Sequence, residues 1–561
     1  MTKKKLLKRT GIIFISSFIL LFISWQLLKE LKIKTFVVDS LQTELNNYFE
    51  DSVKLVIEDI SFNFFEKQIL LEKVNVNLIA NQLDTLASME IPNLNISWDN
   101  YRETFNNQFY QFNTLELINA KILLPIDFSK IKRTKASQPS FEGEFELDIK
   151  EFNMKDGQLL FYDELNKKSG RIKAQYYLTA KNIHFQKDKI LNDFQDVAEE
   201  IILEFNELTY FLKDDLHKID IEKLTFDLFQ QHISLSSMHY RPVYSPEKFA
   251  ELKGEEANHI DILLDSIQLK DIRWQGDSMI SVNSILTKDI VLKVFKDKNY
   301  PLPDDRFVPI LVNLLKESDI SIDVRSLIVK NMDLTYTEIA DGSKEKGVVI
   351  LNNINGEITN ITNRSDSIIK NGKYLAIKAD ADFYGEGKLD ADIQYDLTSR
   401  YGYFKVYGSL QPMEIGAFNS YLAKSYPIEI SSGRVDELFF SYSGGNRAVS
   451  GEMEFKYSDF KIKFHKVLNE EEKGDKALSW LANVALSQKN PRNNGKYRVG
   501  RIEFKRDTRK SMFSYWSKSL VSGFQSTLGL EKPARVEKLE QDKDDRNLWQ
   551  KIGIGKEDES E

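Results

Sequence analysis

The residues best suited to bind a metal ion or transfer a proton near neutral pH are six histidines: His184, His217, His232, His239, His259 and His465. None has another histidine four positions away, and no His-Glu-x-x-His segment occurs. His232 and His239 lie seven apart in a strand-like stretch, which places them on opposite faces. We interpret the histidines as surface or sheet-lining residues and predict no metal site.

Other catalytic patterns are equally weak. Asp214 and Asp215 could act as a carboxylate pair, but adjacent acids in "FLKDDLHK" are typical of a solvated turn. No phosphate-binding GxxxxGK[ST] and no GxSxG nucleophile motif occurs, and "SGGNRAVSGE" (443–452) has the composition of a hairpin turn. The chain contains no cysteine, which excludes disulfides, thiolate catalysis and cysteine-based metal sites. We therefore predict neither an enzyme nor a cofactor.

The chain has 561 residues and a net charge of −8 distributed along its length, which argues against nucleic-acid binding. The N-terminus is more informative. Residues 1–10 carry five basic side chains, and Gly11–Leu28 contains no charge. Eighteen helical residues span about 27 Å, enough for the core of a bilayer. The positive-inside bias predicts a cytoplasmic N-terminus, a transmembrane anchor at 11–28 and an extracytoplasmic body. A cleaved signal peptide is the alternative, but no small-x-small cleavage site follows the apolar run.

From residue 53 onward, apolar residues alternate with polar ones in short runs over about 400 residues, as in "KLDADIQYDL" (388–397). Helical patterns interrupt these runs near 189–204, 306–318 and 413–425. Such a chain would bury one face of a long antiparallel sheet. The residues predicted to line that face are Ile60, Phe62, Phe64, Val74, Val76, Leu78, Leu389, Ile393, Phe439, Phe455 and Tyr457. An ordinary packed core made of the same residues is the competing interpretation.

One phrase recurs along the chain. "LDIKEFNMKDGQLLFYDE" (147–164) and "IDVRSLIVKNMDLTYTE" (322–338) share an apolar pair, then Lys-Asp or Lys-Asn, then an aromatic residue. Looser copies lie at 260–274 and 113–124. We interpret each copy as strand, turn and strand, added repeatedly to one sheet.

The fold predicted is mainly β: an elongated, curled antiparallel sheet forming a groove, with a few helices and the N-terminal transmembrane helix. Stacked sandwich domains would need linkers that are not visible in the sequence. A membrane barrel would have strands of about ten residues with aromatic girdles and no N-terminal anchor.

The C-terminal region combines a basic run (496–510) with an apolar stripe at helical spacing. The residues of these two features are Arg501, Lys505, Arg506, Arg509, Lys510, Phe513, Trp516, Leu520 and Phe524. They could lie on an anionic membrane or seat a partner, but we favour a helix that caps the sheet. The region 471–530 is predicted to be helical and basic, with a companion helix at 477–488, and 531–561 to be a disordered charged tail.

Three segments carry a resemblance to a known family. "VKLVIEDISFNFFEKQILLEKVNVNL" (53–78) resembles the opening of AsmA-like envelope proteins. "YFKVYGSLQPMEIGAFNSYL" (403–422) and the strand returns of 428–464, through Gly433, Gly444 and Gly451, resemble the C-terminal portion of AsmA-related proteins. The resemblance covers about 35–470 and consists of hydrophobic and glycine patterns; residues 471–561 are outside it.

The resemblance implies an inner-membrane protein of Gram-negative bacteria with a periplasmic β-groove at 35–470, concerned with outer-membrane lipid homeostasis and assembly. It also implies glycerophospholipid as cargo, and an outer-membrane or envelope protein as a possible partner. We therefore expect a non-enzymatic protein that shields or conducts lipid acyl chains. The alternatives are a structural scaffold for an envelope complex, with a groove filled by its own side chains, and an enzyme acting on envelope polysaccharides.

Overall fold

A computed structural model describes residues 53–63, 65–81, 84–98, 109–125, 146–163, 168–186, 198–212, 214–275, 279–425, 428–464 and 488–538. The chain divides into two compact units. The first comprises residues 1–245, 260–275 and 280–291; the second comprises 246–259, 276–279 and 292–561. The described residues are mainly β, which confirms the predicted fold class at that level.

The strands of the first unit are β1 Val53–Asn63, β2 Gln68–Asn81, β3 Asp84–Ser97, β4 Phe109–Ile118, β5 Lys121–Pro125, β6 Glu146–Asp163, β7 Lys168–Gln186, β8 Glu200–Phe211, β9 His217–Asp227 and β10 His232–Pro242. Most of β11 Asn258–Gln275 and the first part of β12 Met279–Asp297 also belong to it.

The remaining strands belong to the second unit: β13 Ser321–Ile339, β14 Lys346–Thr362, β15 Tyr374–Phe383, β16 Gly387–Asp396, β17 Phe404–Leu410, β18 Met413–Glu414, β19 Ile428–Gly444, β20 Ala448–Phe464, β21 Lys496–Lys505 and β22 Arg535–Lys538. Its helices are α1 Pro246–Lys253, α2 Leu311–Lys316, α3 Ser365–Asn371, a 3-10 helix Ile415–Phe418, α4 Asn419–Ser425 and α5 Met512–Leu528.

In the first unit most strands pair with their sequence neighbours in antiparallel fashion, but β4 and β5 lie end to end between β3 and β6. β4 and β5 both pair with β6 in parallel, so the prediction of a wholly antiparallel sheet is wrong at this point. A parallel pair needs a long crossover connection instead of a hairpin, and residues 126–145 separate β5 from β6.

The two clear copies of the recurring phrase are continuous strands and not two strands joined by a turn. Residues 147–163 lie in β6 and residues 322–338 in β13. The copy at 113–124 does contain two strands, β4 and β5, with Asn119 and Ala120 between them. The position predicted to turn has a positive φ in all four copies: 57° at Asn119, 52° at Asp156, 53° at Asp271 and 56° at Asn331. Asn and Asp tolerate this left-handed conformation better than other non-glycine residues. In the two clear copies the register shifts at this position, between Met154 and Gly157 and between Val329 and Met332, so each marks a β-bulge that does not end the strand.

In the first unit these irregularities align across neighbouring strands. The register pairs Asp59 with Glu72, Glu72 with Asn93, Asn93 with Ile118 and Ile118 with Lys155. We call this line the crease; it consists of Glu58–Asp59, Glu72–Lys73, Pro92–Asn93, Ile118–Asn119 and Lys155–Asp156. Lys73, Asn119 and Asp156 on this line have a positive φ. The register between β6 and β7 shifts there, between Met154 and Gly157, whereas the pairings of β1 with β2 and of β2 with β3 keep their register across the line.

The crease also changes the spacing of apolar residues. Buried side chains that flank it lie three positions apart instead of two, as in Ile57 and Ile60, or Leu71 and Val74. Strict alternation would place one member of each pair on the wrong face. The two crease residues between them, which we call the two-residue step, keep both flanking side chains on the same apolar face. The charged side chains of the step lie on the opposite face, and there Lys73 pairs with Glu58 at 2.7 Å.

The second unit contains a nine-strand antiparallel ladder, from β13 to β17 and then through β19 to β22, while β18 pairs with β19. Its core includes Tyr395, Phe404, Met453 and Tyr457, all at most 1 % exposed. Helix α5 lies on this face, because Gly523 and Gly500 let the helix and β21 approach closely.

Several element predictions are corrected here. The helical pattern at 189–204 is wrong for residues 200–204, which begin strand β8. The basic run at 496–505 is strand β21, and the predicted disordered tail contains β22, so the sheet extends beyond residue 470. β22 is ordered by pairing with β21, a tertiary contact that composition cannot reveal.

Other predictions fall outside the described residues: the anchor at 11–28, the companion helix at 477–488 and the tail beyond 538. Among the residues the structure describes, no helix combines the length and apolarity needed to cross a bilayer.

Candidate functional site

The apolar face of the first unit holds several of the residues predicted to line a groove. Ile60 and Val74 are buried, at 4 % and 3 % exposure, in a cluster with Ile91, Met154 and Tyr176. Phe62 and Val76 are half-buried against it. Leu78 pairs with Val53 and Ala87 in the ladder, but its side chain and Phe64 lie outside the described set.

This face is only partly shielded by its own side chains. Thirteen apolar residues of intermediate exposure surround the buried cluster: Leu55, Phe62, Ile69, Val76, Met89, Leu94, Ile96, Leu115, Ile122, Phe152, Leu159, Leu178 and Phe205. The described residues of this unit include no helix. One-sided apolar sheets are normally covered by a second layer, and the described residues supply none here.

In the second unit the predicted lining residues belong to a packed core. Ile393, Phe455 and Tyr457 are at most 7 % exposed, and Leu389 packs against the same cluster. The ring of Phe524 on α5 meets Phe455 edge-on, with centroids 5.1 Å apart. The chain itself therefore covers the apolar face at these positions.

Phe439 is the exception, because it points to the opposite, polar face. It borders a cavity of about 450 Å³ that crosses β14, β15, β16, β17 and β19. The cavity is lined by Asn355, Gly356, Glu357, Lys378, Ala379, Asp380, Asp390, Ala391, Asp392, Tyr407, Gly408, Ser409, Phe439 and Phe440. Most of its lining residues are charged or polar by type, but most of the surface they present to the cavity is apolar, so the lining does not favour a polar ligand over a hydrocarbon chain.

The basic run at the C-terminus is largely engaged by the chain itself. Arg509 pairs with Asp304 and Asp507, each at 3.1 Å, and exposed Arg501 lies 3.7 Å from Glu503. Arg506 is 6 % exposed and donates to the Val308 carbonyl, with its guanidinium 5.6 Å from the centre of the Tyr515 ring. Burial lowers the pKa of Arg506.

Lys510 is half-buried, and the exposed basic residues of the run are Lys496, Arg501 and Lys505.

The stripe of α5 faces the sheet for most of its length. Trp516, Leu520 and Phe524 pack partly buried against the core, whereas Phe513 is 38 % exposed and contacts Tyr336. Ser522 and Ser526 accept hydrogen bonds from the backbone N–H groups of Glu503 and Arg501 on β21. This arrangement agrees with the interpretation of α5 as a cap on the sheet.

Three of the histidines lie within hydrogen-bond distance of a nearby carboxylate. Asp214 accepts hydrogen bonds from two backbone N–H groups of its own turn and lies 2.7 Å from His217. His184 lies beside Asp148, and His239 beside Asp261. Within the described ranges, no three histidine or carboxylate side chains converge on one point.

A buried polar cluster in the second unit is the feature that sequence reasoning missed. Glu338 is 3 % exposed and lies 2.6 Å from the Lys298 ammonium. The hydroxyls of Tyr336 and Tyr421 donate to its two carboxylate oxygens at 2.6 and 3.0 Å. A second buried pair, Lys296 and Glu256, is 2.8 Å apart. Apart from Tyr336, which is two residues from Glu338, these partners are 40 or more residues apart, so only tertiary folding brings them together.

The cluster keeps Glu338 ionised. Burial alone would raise the pKa of Glu338, but the charge of Lys298 and the three hydrogen bonds together lower it below its usual 4.5. Burial, and then the nearby carboxylate, raise the pKa of Tyr336, so that the phenol remains a hydrogen-bond donor. The arrangement fixes a negative charge inside the fold and joins α4 to β13.

No protein-family model matches the chain, and no curated protein sequence matches it either.

Proposed function

We propose that the chain is a membrane-anchored, extracytoplasmic β-groove protein that shields or conducts lipid acyl chains and so supports outer-membrane lipid homeostasis. The observation that carries the proposal is the apolar face of the first unit. Thirteen apolar side chains of intermediate exposure lie on that face, and no helix among the described residues of the unit covers them. A face of this kind suits a hydrocarbon chain laid across the strands.

The physical benefit of such a face follows from the cost of exposing hydrocarbon to water. Each exposed methylene costs about 0.8 kcal/mol, so a dozen cost roughly 10 kcal/mol. A half-open apolar surface removes much of that cost while allowing a chain to enter and leave. Bulges bend strands, and bends aligned along the crease would curl the sheet into a groove.

The proposal is tested by site-specific photocrosslinking in the native membrane. A photoreactive residue at Phe62, on the apolar face of β1, should crosslink to lipid that mass spectrometry identifies. The matched control is the adjacent Ser61, which is exposed on the other face of the strand. The absence of lipid from Phe62 crosslinks, together with purified protein that carries no lipid, would contradict the proposal.

The location proposed depends on the apolar run Gly11–Leu28 and the basic residues before it. Full-length chain should fractionate with the inner membrane and require detergent, and a chain lacking residues 1–34 should be released without it. Full-length chain found uncleaved in the soluble fraction would remove the anchor from the proposal.

One observation favours the scaffold as a second candidate. The second unit covers its own apolar face with α5 and the helices near residues 415–425, so this part of the chain needs no lipid to complete its core. A scaffold predicts a stable protein complex whose recovery does not change when residues such as Phe62 and Val76 are made polar. Lipid conduction predicts that the same changes abolish lipid recovery.

A further inference from the structure

Helix α2, helix α5 and the segment Ile415–Ser425 all contribute to the core of the second unit, and the last two are anchored differently. Helix α5 buries six residues and hydrogen-bonds through two serines to the backbone of β21. The other cover is the segment Ile415–Ser425, formed by the 3-10 helix and α4, which we call the flap. Helix α4 has no buried residue, and the 3-10 helix buries only Ile415.

The underside of the flap rests on aromatic residues at the end of β15. The ring of Phe418 meets Phe383 edge-on, with centroids 5.2 Å apart, and lies 5.9 Å from Tyr384. Ala417 and Leu422 are partly buried against the same core. Lifting the flap would therefore uncover the apolar surface of Phe383 and Tyr384, next to the buried carboxylate of Glu338.

Polar contacts hold the flap in place with unequal strength. Asn419 exchanges two hydrogen bonds of 2.8 Å with the backbone of Ile430, which fixes one end of α4 to β19. The contacts of Ser420 with Val348 and of Lys424 with Glu345 are exposed to solvent. Tyr421 reaches the buried carboxylate of Glu338 at 3.0 Å. Hydrogen bonds to a buried charge are stronger than exposed ones, which makes Tyr421 the principal latch.

We propose that the flap is a hinged cover that opens about the Asn419–Ile430 contact and admits an acyl chain to the surface beneath Phe418, with Tyr421 and Glu338 as its latch. The identity of the admitted molecule as an acyl chain rests on the proposed function, whereas the opening of the flap does not.

Hydrogen exchange tests the latch without any lipid. Tyr421→Phe removes the hydroxyl but keeps the ring, and amides of residues 419–425 and 383–384 should exchange roughly tenfold faster. Tyr403→Phe, which removes an exposed hydroxyl of the same unit, should leave those amides unchanged. Equal exchange in Tyr421→Phe and the parent chain would overturn the latch.

A disulfide tests whether opening is needed for binding. The chain has no cysteine, and a Cβ added at Gly347 would lie 2.4 Å from the Ser425 hydroxyl, close enough for a bridge between β14 and the flap. In the variant Gly347→Cys/Ser425→Cys, a photoreactive fatty acid should label the peptide containing Phe383 and Tyr384 in the reduced form. Labelling should fall at least several-fold in the oxidised form.

The possible outcomes separate this proposal from the previous one. Equal labelling of the oxidised and reduced forms would overturn the flap as a cover. Loss of fatty-acid labelling everywhere, including near Phe62 in the parent chain, would instead overturn the proposed function, and the exchange measurement on Tyr421→Phe would still decide whether the flap opens.

Discussion

The ring of Tyr176 on β7 lies over Gly157 on β6. The two residues are direct cross-strand partners, and a Cβ added to Gly157 would lie 2.3 Å from the Cζ atom of the ring. The Tyr176 hydroxyl points toward the Ala120 carbonyl at 3.4 Å. Gly157 directly follows the crease, so the absence of a side chain lets one ring cover the strand at its bend.

Gly157→Ala should lower the free energy of unfolding by about 1–3 kcal/mol, because the ring must leave its position. Urea denaturation measures the change. In the double variant Gly157→Ala/Tyr176→Leu the loss should be smaller than the sum of the two single losses. Strict additivity would show that the ring and the glycine do not interact as described.

Tyr176 should also make the first unit sensitive to alkali. Burial raises the pKa of Tyr176 from 10.0 to about 12. The neutral phenol is therefore favoured by folding, and its contribution is complete below pH 10 and declines as the pH rises toward 12. The maximum effect is about 2–3 kcal/mol. Urea denaturation at pH 9 and pH 11.5 should show a smaller pH-dependent loss in Tyr176→Phe than in the parent chain.

Phe205→Leu, on the neighbouring strand, is the control for the alkaline experiment, because it alters the same cluster without removing a titratable group. Its pH dependence should match that of the parent chain. An identical pH dependence in Tyr176→Phe would contradict the role given to this phenol.

Asp156 allows a test of backbone conformation alone. Its φ is 52°, and its carboxylate accepts a hydrogen bond from half-buried Tyr177. Asp156→Gly and Asp156→Val both remove that bond, but valine is far less compatible with positive φ. The valine variant should be less stable than the glycine variant by about 1–3 kcal/mol, measured by denaturant titration. Equal stability would mean that the bulge can move along β6.

The contact between α5 and β21 depends on glycine at position 500. A Cβ there would lie 2.2 Å from the Thr527 hydroxyl oxygen and 2.5 Å from the Gly523 carbonyl oxygen. Gly500→Ala should therefore destabilise the second unit by about 2–3 kcal/mol. Gly416→Ala, with nothing within 4 Å of its added Cβ, is the matched control and should change stability little. A similar loss in both variants would show that helix and strand separate at low cost.

The sequence was sufficient to predict a mainly β chain, because alternation such as Leu389, Ala391 and Ile393 is a local property. It also revealed the recurring phrase, but the Lys-Asp and Lys-Asn pairs were interpreted as turns. Asp and Asn have the same preference for left-handed backbone in a turn and in a bulge. What distinguishes the two is whether the neighbouring strand continues, as Asp156 and Asn331 show.

The candidate sites were harder to predict, because burial depends on what covers a strand. Phe62 and Phe455 occupy equivalent alternating patterns, yet Phe455 packs under α5 and Phe62 is half-buried in a unit whose described residues contain no helix. Phe439 was assigned to the apolar face by its type, although the register directs it to the other one. The pairing of Lys298 with Glu338 had no signal in the sequence at all.

The crease has a consequence for how the sheet could gain or lose strands by duplication or deletion within its gene. Each strand carries its own two-residue step, and its position relative to the neighbouring strand is fixed by local register. If a strand pair were duplicated together with its two-residue step, the new strands would extend the crease and add to the same apolar face. No compensating change elsewhere in the chain would be needed. Chains built on this rule can lengthen or shorten by duplication and deletion while their cross-section stays constant.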